Sequence, residues 1–177
     1  MSSFKLFWNL HKWTGLIAAS FFAVTATTGF MLLIKKRVAW IQPPTMDGGE
    51  GGIESFITNQ ELFEIVFSQD HADFQSIEDI NRVDFRPNQQ VFKVRSEHNH
   101  SELQISAVTG EMLNSSWRPS DLIEQIHDGS FWSDWIHDWV MPFVSFALLF
   151  MVFSGLWLWI EPSIRKRRRK KHKATVM

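Results

Sequence analysis

Two long uninterrupted apolar runs dominate the pattern of hydrophobic and polar positions along the chain. Residues 14–34 (TGLIAASFFAVTATTGFMLLI) and 140–160 (VMPFVSFALLFMVFSGLWLWI) each contain about 21 residues and no charged side chain. At a rise of ~1.5 Å per residue, such a helix reaches across a hydrocarbon core of ~30 Å. The runs therefore predict two transmembrane helices, the first of which begins near Ser3 and ends near the KKR triplet, residues 35–37.

The first run could alternatively belong to a secretory signal peptide, because Lys5 and Lys12 precede it. However, the run is long, and the KKR triplet stands where a small-residue cleavage site would be expected. We therefore interpret the first run as an anchor that is not cleaved.

Between the two runs the pattern is typical of a small α+β domain. Residues 41–52 form a linker by their Pro and Gly content, and residues 53–69 have the spacing of an amphipathic helix. The segments RVDFR, VFKVRS and ELQISAV alternate apolar and polar residues as half-buried strands do, with turns at RPNQQ and EHNHS. A further helix is predicted from Ser120 to about His127, where Gly129 interrupts it.

Charge is strongly segregated although the net charge is only −1. Between Val38 and Trp139 there are 18 acidic and five basic residues, a net charge of −13, whereas the tail RKRRRKKHK carries eight basic residues. Because positive residues mark the cytoplasmic side, we expect both termini inside and the acidic middle outside. The tail serves most simply as a topology signal that contacts lipid headgroups, and we expect no nucleic-acid partner.

The predicted fold class is an α+β membrane protein, in which two transmembrane helices flank a small periplasmic domain with a helix and an antiparallel sheet. The chain has no cysteine, so the exported domain must be stabilised by its own core. The predicted segments are an N-terminal span (residues 1–37), a periplasmic domain with its linker (38–118), a periplasmic helix with the second span (119–161), and a basic cytoplasmic tail (162–177).

The order of several short motifs resembles the PepSY-associated transmembrane proteins. The motifs are HKWTGL at the first span, VFKVRS…LQISAVTGEML in the middle, and IHDGSF…SGLWLWI at the second span. TGEML matches the usual end of a PepSY hairpin, although Ala107 stands where an aspartate is usual. The resemblance covers nearly the whole chain. It implies the PepSY-like fold of the periplasmic domain and a location in the bacterial inner membrane.

The resemblance also implies candidate functions. Some larger members of the family resemble inner-membrane reductases that release iron from ferric siderophores through haem b, and small two-span members look like ferric reductases that assist ferrous iron uptake. Alternatively, the resemblance implies that the small members are accessory proteins, and the PepSY module has been associated with inhibition of peptidases. We favour a haem-dependent ferric reductase, with a partner-binding accessory subunit or peptidase regulator as the alternative.

Three histidines at the ends of the predicted spans are the candidate haem ligands. His11 precedes the first span, and His127 and His137 precede the second. Histidine near membrane depth is costly unless it is paired or liganded, and imidazoles are axial ligands of haem iron. Alternatively, His11 contacts headgroups, His127 caps a helix end, and His137 belongs to an aromatic belt.

Glycines and tryptophans near these histidines could complete the haem sites. Gly15 and Gly155 lie at the level of His11, and Gly29 lies at the level of the outer histidines; a flat macrocycle needs places without side chains. Alternatively, the glycines are small-residue contacts between helices. Trp132 and Trp135, with Trp139, would line the outer site. Because one pair of helices cannot enclose a porphyrin, we expect a homodimer that forms a four-helix bundle.

The segment EHNHSE is a second candidate site, for a metal ion. We expect its histidines, His98 and His100, to share a face of a strand or turn, with Glu97 and Glu102 nearby. Carboxylates and imidazoles suit iron and other transition ions, so a periplasmic metal-binding sensor is a third hypothesis. The alternative is a polar hairpin tip.

The sequence lacks the motifs of several other enzyme classes. There is no GxGxxG, P-loop, HExxH or serine nucleophile elbow. A reductase built on this chain would therefore need an external electron donor, such as a reduced flavin, a quinol or a separate reductase. Its substrate would be ferric iron or a ferric chelate.

Overall fold

The structure, a computed structural model, describes residues 3–175 and divides them into two compact units. One unit comprises the residues up to Gly29 and those from Gln125 onward, and the other comprises Phe30–Glu124. The elements in chain order are α1 (Ser3–Ile34), α2 (Asn59–Ser68), β1 (Ile80–Arg86), β2 (Val91–Ser96), β3 (Ser101–Ser106), β4 (Met112–Trp117), α3 (Pro119–Asp128) and α4 (Met141–Thr175). This order confirms the predicted α+β fold, with a long apolar helix towards each end of the chain.

The first unit, here called the helical unit, contains the second candidate membrane span and the larger part of the first, which continues past Gly29. The two spans are Phe4–Arg37 and Ile136–Arg168, each long and apolar enough to cross a bilayer. Most of their large apolar side chains are exposed, as expected of helices whose environment is lipid. The chain is therefore a membrane protein with two candidate spans.

The path from α3 into α4 contains two local irregularities. Gly129 has a φ of +84°, a conformation that ends α3 and that suits glycine. Five residues, Ile136–Val140, then form a π-helical turn immediately before α4. Such turns insert an extra residue into the helical repeat. The side chains before the turn are therefore rotated about the helix axis relative to those that follow it.

The second unit, here called the sheet unit, is an antiparallel sheet with strand order β1-β2-β3-β4. Val94 of β2 pairs with Val83 of β1 and with Leu103 of β3. The apolar face of the sheet packs against α2, and together they form the core. The core residues are Leu62, Val66, Phe74, Phe92, Val94, Leu103, Ile105 and Ala107.

Helix α2 begins six residues later than the sequence pattern predicted. Its first residue is Asn59, because Thr58 and Glu61 form a capping box that satisfies the free N–H groups at the helix start. The backbone N–H of Thr58 lowers the pKa of the Glu61 carboxyl. The preceding residues, Ile53–Ser55, form only a single 3₁₀ turn.

Two features of the sheet differ from the sequence-based expectation. β4 was not predicted, because its Asn-Ser-Ser core has a low preference for strands. The strands β2 and β3 are also buried on both faces rather than one. The linker covers the second face: Met46 N–H donates to Gln104 Oε1 (2.8 Å), and the Ser106 hydroxyl donates to the Gly48 carbonyl (2.6 Å).

Candidate functional site

His127, near the C-terminal end of α3, lies against the C-terminal part of α1. Its Nδ1 is 2.9 Å from Oγ1 of Thr28, a buried side chain. The ring faces the next residue of α1, because a Cβ placed on Gly29 would lie only 3.2 Å from His127 Cε1. The absence of a side chain at Gly29 therefore makes room for the imidazole, and the hydroxyl of the preceding residue, Thr28, forms a hydrogen bond with the imidazole.

The same arrangement occurs at the other end of the helical unit, with the roles of the helices exchanged. His11 of α1 lies against α4, with its Nδ1 2.7 Å from Oγ of Ser154. A Cβ on Gly155 would lie 3.3 Å from His11 Cε1. Each histidine thus contacts a hydroxyl–glycine pair, which we define as Thr28-Gly29 for His127 and Ser154-Gly155 for His11.

His137 is positioned by the π-helical turn. Its Nδ1 lies 2.9 Å from the backbone carbonyl oxygen of Asp128 and 3.8 Å from the Asp128 carboxylate. The Asp128 carbonyl thus contacts His137, nine residues later in the chain, and not the adjacent His127. About half of the His137 side chain is exposed, so this imidazole remains accessible.

His127 and His137 line the same cavity, which has a volume of about 710 Å³. Most of its wall is apolar and comes from both long helices, as illustrated by Phe22, Ala26 and Leu148. Cavities of ~300–1,000 Å³ with apolar walls and a few convergent polar groups are typical of cofactor sites. The structure thus brings two of the three predicted ligands together, whereas His11 lies at the other end of α1.

The remaining predicted cofactor-site residues have different surroundings. A Cβ on Gly15 would lie 2.6 Å from Met151 Cε, so this glycine allows a close approach of the two helices. Trp132 lines a smaller apolar cavity of about 270 Å³ that adjoins the first along α1. Trp135 and Trp139 line neither of these two cavities and are both exposed, as residues of an interfacial belt are.

Glu102, one of the four residues of the candidate metal site, is fully buried in an ionic network on the linker side of the sheet. Its carboxylate accepts from Lys93 Nζ at 3.2 Å and from Arg118 Nη1 at 2.6 Å. Burial lowers the pKa of Lys93, and the Glu102 carboxylate partly opposes that shift. Glu102 therefore neutralises buried cations rather than facing a solvent-exposed metal.

The other three residues, Glu97, His98 and His100, lie in the connection between β2 and β3. Glu97 accepts from Asn81, and His100 has a φ of +57°, so the two histidines do not alternate on a strand. Among the described residues, no group of three or more His, Cys, Asp or Glu side chains is arranged to hold a metal ion. The structure thus does not bring the four residues together.

A nearby carboxylate fixes this connection. Asp73 accepts hydrogen bonds from the hydroxyl of Ser101 and from the side-chain amide of Asn99. The Ser101 bond is the main reason that the pKa of Asp73 is lowered, while partial burial opposes the shift. This arrangement supports the structural interpretation of the EHNHS segment as a polar hairpin tip.

Sequence reasoning missed the two hydroxyl residues of the helical unit, Thr28 and Ser154. Both lie within the apolar runs and directly precede glycines in the motifs TTG and SG. Those motifs indicate close contacts between helices, but they do not reveal that a histidine lies opposite each one. One signal could have found them. It is a polar side chain next to a glycine on one span, with a histidine at matching depth on the other span.

Comparison with known proteins gives one match. The family model described as PepSY-associated TM region matches residues 8–176, almost the whole chain. No curated protein and no solved structure matches the chain.

Proposed function

Because this chain belongs to the family described as PepSY-associated TM region, we propose that it is a haem-b-dependent ferric iron reductase of the bacterial inner membrane. The observation that carries the proposal is the cavity shared by His127 and His137, whose wall is otherwise mostly apolar. Two imidazoles facing an apolar cavity suit the axial ligation of a haem iron. His11 would serve a second site, at the other end of the helical unit.

The residues present fit haem on two counts. Imidazole is a ligand that haem iron takes in electron-transfer proteins, and each of the three histidines has its Nδ1 occupied by a hydrogen-bond partner, which orients the ring. The side-chain-free positions Gly29 and Gly155 lie directly beside two of the imidazoles. These glycines let each ring lie close against the opposite helix, which adds to the fixed orientation of the two imidazoles.

The chemistry that haem supplies when bound is one-electron transfer by its iron. The chain's histidines would hold and orient the haem, and apolar residues such as Phe22 and Leu148 would form the wall beside it. The acidic segment between Val38 and Trp139, with a net charge of −13, would concentrate ferric iron or cationic chelates at the periplasmic surface. Electrons would come from an external donor, such as a reduced flavin, a quinol or a separate reductase.

A second copy of the chain would complete the site. Two long helices cannot enclose a porphyrin, whereas a homodimer provides four helices, the arrangement in which bundle proteins hold such cofactors. We also propose that both termini are cytoplasmic and that the sheet unit is periplasmic, on the basis of the basic residues that flank the spans.

Reoxidation by ferric iron tests the proposed activity. The full chain, in lipid nanodiscs, is reduced with a limiting amount of dithionite and mixed with ferric citrate, and ferrous iron is measured with a chromogenic chelator. We expect about one ferrous ion for each haem that becomes oxidised, because each ferric ion accepts one electron. The control variant His71→Ala, altered in the sheet unit, should react as the wild type does. The variants His127→Ala and His137→Ala should abolish the reaction. A wild-type haem that stays reduced in excess ferric citrate would contradict the proposal.

A partner-binding accessory protein is the second candidate. The strands β1 and β4 form the two edges of the sheet, and within the described residues neither edge pairs with a further strand. Exposed Phe85 and Trp117 lie on these edge strands, which suits the addition of a partner's strand. This function predicts dependence on the sheet unit and none on the three histidines, so the same histidine variants distinguish the two candidates.

A further inference from the structure

We propose that Thr28 and Ser154 are positioning residues that set the tautomer of the histidines opposite them. Each hydroxyl holds its partner, His127 or His11, with the proton on Nδ1 and with the lone pair of Nε2 free to bind a metal. The role of this tautomer in metal binding rests on the proposed haem function, but the tautomer itself can be tested without haem.

The Thr28 hydroxyl has a single hydrogen, and its direction is fixed within α1. Thr28 Oγ1 lies 2.7 Å from the carbonyl oxygen of Val24, four residues earlier in the helix. Two oxygen atoms this close need a hydrogen between them, and a carbonyl oxygen cannot donate one. The hydroxyl hydrogen therefore points to Val24, and only the oxygen lone pairs of Thr28 remain for another partner.

The consequence for His127 follows from its distance to the same hydroxyl. His127 Nδ1 lies 2.9 Å from Thr28 Oγ1, within hydrogen-bond range. Because the hydroxyl hydrogen is already used, Nδ1 must donate. A neutral imidazole has one N–H, so Nε2 of His127 carries a free lone pair, the form that binds a metal.

Ser154 has the same relation to His11. Its Oγ lies 2.6 Å from the carbonyl oxygen of Phe150 and 2.7 Å from His11 Nδ1. The hydroxyl again donates to the preceding turn of its own helix and accepts from the imidazole. Two sites at opposite ends of the helical unit thus impose the same tautomer by the same means.

His137 has the same tautomer for a different reason. Its Nδ1 lies 2.9 Å from the backbone carbonyl oxygen of Asp128, which can only accept. All three candidate ligands therefore present Nε2 as their free nitrogen. All three histidines could therefore bind a metal through the same nitrogen, Nε2. The hydrogen bond from Nδ1–H also raises the basicity of that coordinating nitrogen.

Nitrogen NMR of the haem-free protein tests the tautomer directly. The full chain is labelled with ¹⁵N-histidine in cells that cannot make haem, and it is studied in nanodiscs at about pH 8.5, ~2 units above the usual pKa of histidine. Histidine-to-glutamine variants assign the resonances of His11 and His127. We expect a protonated Nδ1 and an unprotonated Nε2 at both residues. A protonated Nε2 at either of them in the wild type would overturn the inference for that site.

Substitutions of the hydroxyl residues provide the causal test. Thr28→Val keeps the shape but removes the hydroxyl, so the Nδ1 preference of His127 should be lost, while Thr28→Ser should retain it. Ser154→Ala should act in the same way on His11 alone. Exposed Thr27 and Ser163 provide the matched controls Thr27→Val and Ser163→Ala, which should change neither histidine. Unchanged tautomers in Thr28→Val and Ser154→Ala would show that the hydroxyls do not set them.

Haem affinity then separates this inference from the proposed function. Loss of such a hydrogen-bond partner typically weakens metal binding ~10–100-fold, so Thr28→Val and Ser154→Ala should lower haem affinity by about that factor and shift the midpoint potential. Thr28→Ser should restore both quantities. If the tautomers are as stated but the wild type binds no haem, the positioning role stands and the proposed function fails.

Discussion

Glu102 is the residue on which the polar side of the sheet depends. It is fully buried, and it lies within 4 Å of three cationic side chains, those of Lys93, Arg95 and Arg118. Removal of one partner from a buried ionic network leaves uncompensated charge, which costs about 3–5 kcal/mol of folding free energy. The role of Glu102 is thus structural.

Neutralisation of Glu102 should therefore destabilise the sheet unit. We expect Glu102→Gln to accelerate hydrogen exchange of the most protected amides in β2 and β3 at least ~100-fold, since each 1.4 kcal/mol corresponds to a factor of ten. Mass spectrometry of the full chain in nanodiscs measures the rates. Exposed Glu97 gives the matched control, because Glu97→Gln should leave the rates close to those of the wild type.

Equal exchange rates in the Glu102→Gln and Glu97→Gln variants would contradict the structural role of Glu102. The sequence could not have revealed this role, because the alternation of apolar and polar residues in VFKVRS and LQISAV is also the pattern of a sheet with one face in water. The difference depends on the linker, whose backbone groups bind Gln104 and Ser106. Such long-range contacts leave no periodic signal.

At the scale of elements, the long helices were predictable and their detailed contacts were not. Uncharged runs of about 21 residues leave few alternatives to a span. The π-helical turn at Ile136–Val140 has no comparable sequence signal, although it determines where His137 points. The fourth strand was also missed, because its pairing with β3 outweighs the weak strand preference of its residues.

Gly15, Gly29 and Gly155 of the helical unit should differ in their tolerance of a side chain. A Cβ at Gly29 would press on the His127 ring at 3.2 Å, and one at Gly155 on the His11 ring at 3.3 Å, whereas at Gly15 it would meet the flexible end of Met151. We therefore expect Gly29→Ala and Gly155→Ala to lower haem content per chain several-fold and Gly15→Ala to change it little. Pyridine haemochrome assays measure the content. Equal effects at all three positions would contradict the specific role of Gly29 and Gly155.

At the scale of the whole molecule, the distribution of charge determines the expected topology. The eight basic residues of the tail and the two before the first run outnumber the three that follow that run. Because basic residues are retained in the cytoplasm, both ends should be inside and the sheet unit outside.

Cysteine labelling tests this topology without interference, because the chain has no native cysteine. The Asp47→Cys variant, altered in the linker, should react with a membrane-impermeant maleimide in intact cells. The Ser163→Cys variant, altered near the C-terminal end of the second candidate span, should react only after the membrane is made permeable. Labelling of Ser163→Cys in intact cells would show that the tail is outside.

The central claim is that the histidines of the helical unit bind haem, and the visible spectrum tests it most directly. The full chain is purified from haem-replete cells in detergent, and its spectrum is recorded oxidised and then after dithionite reduction. We expect the sharp reduced bands of a low-spin b-type haem, which His11→Ala, His127→Ala or His137→Ala weakens or removes without loss of expression. A colourless wild-type protein, or full haem retention in all three variants, would contradict the claim.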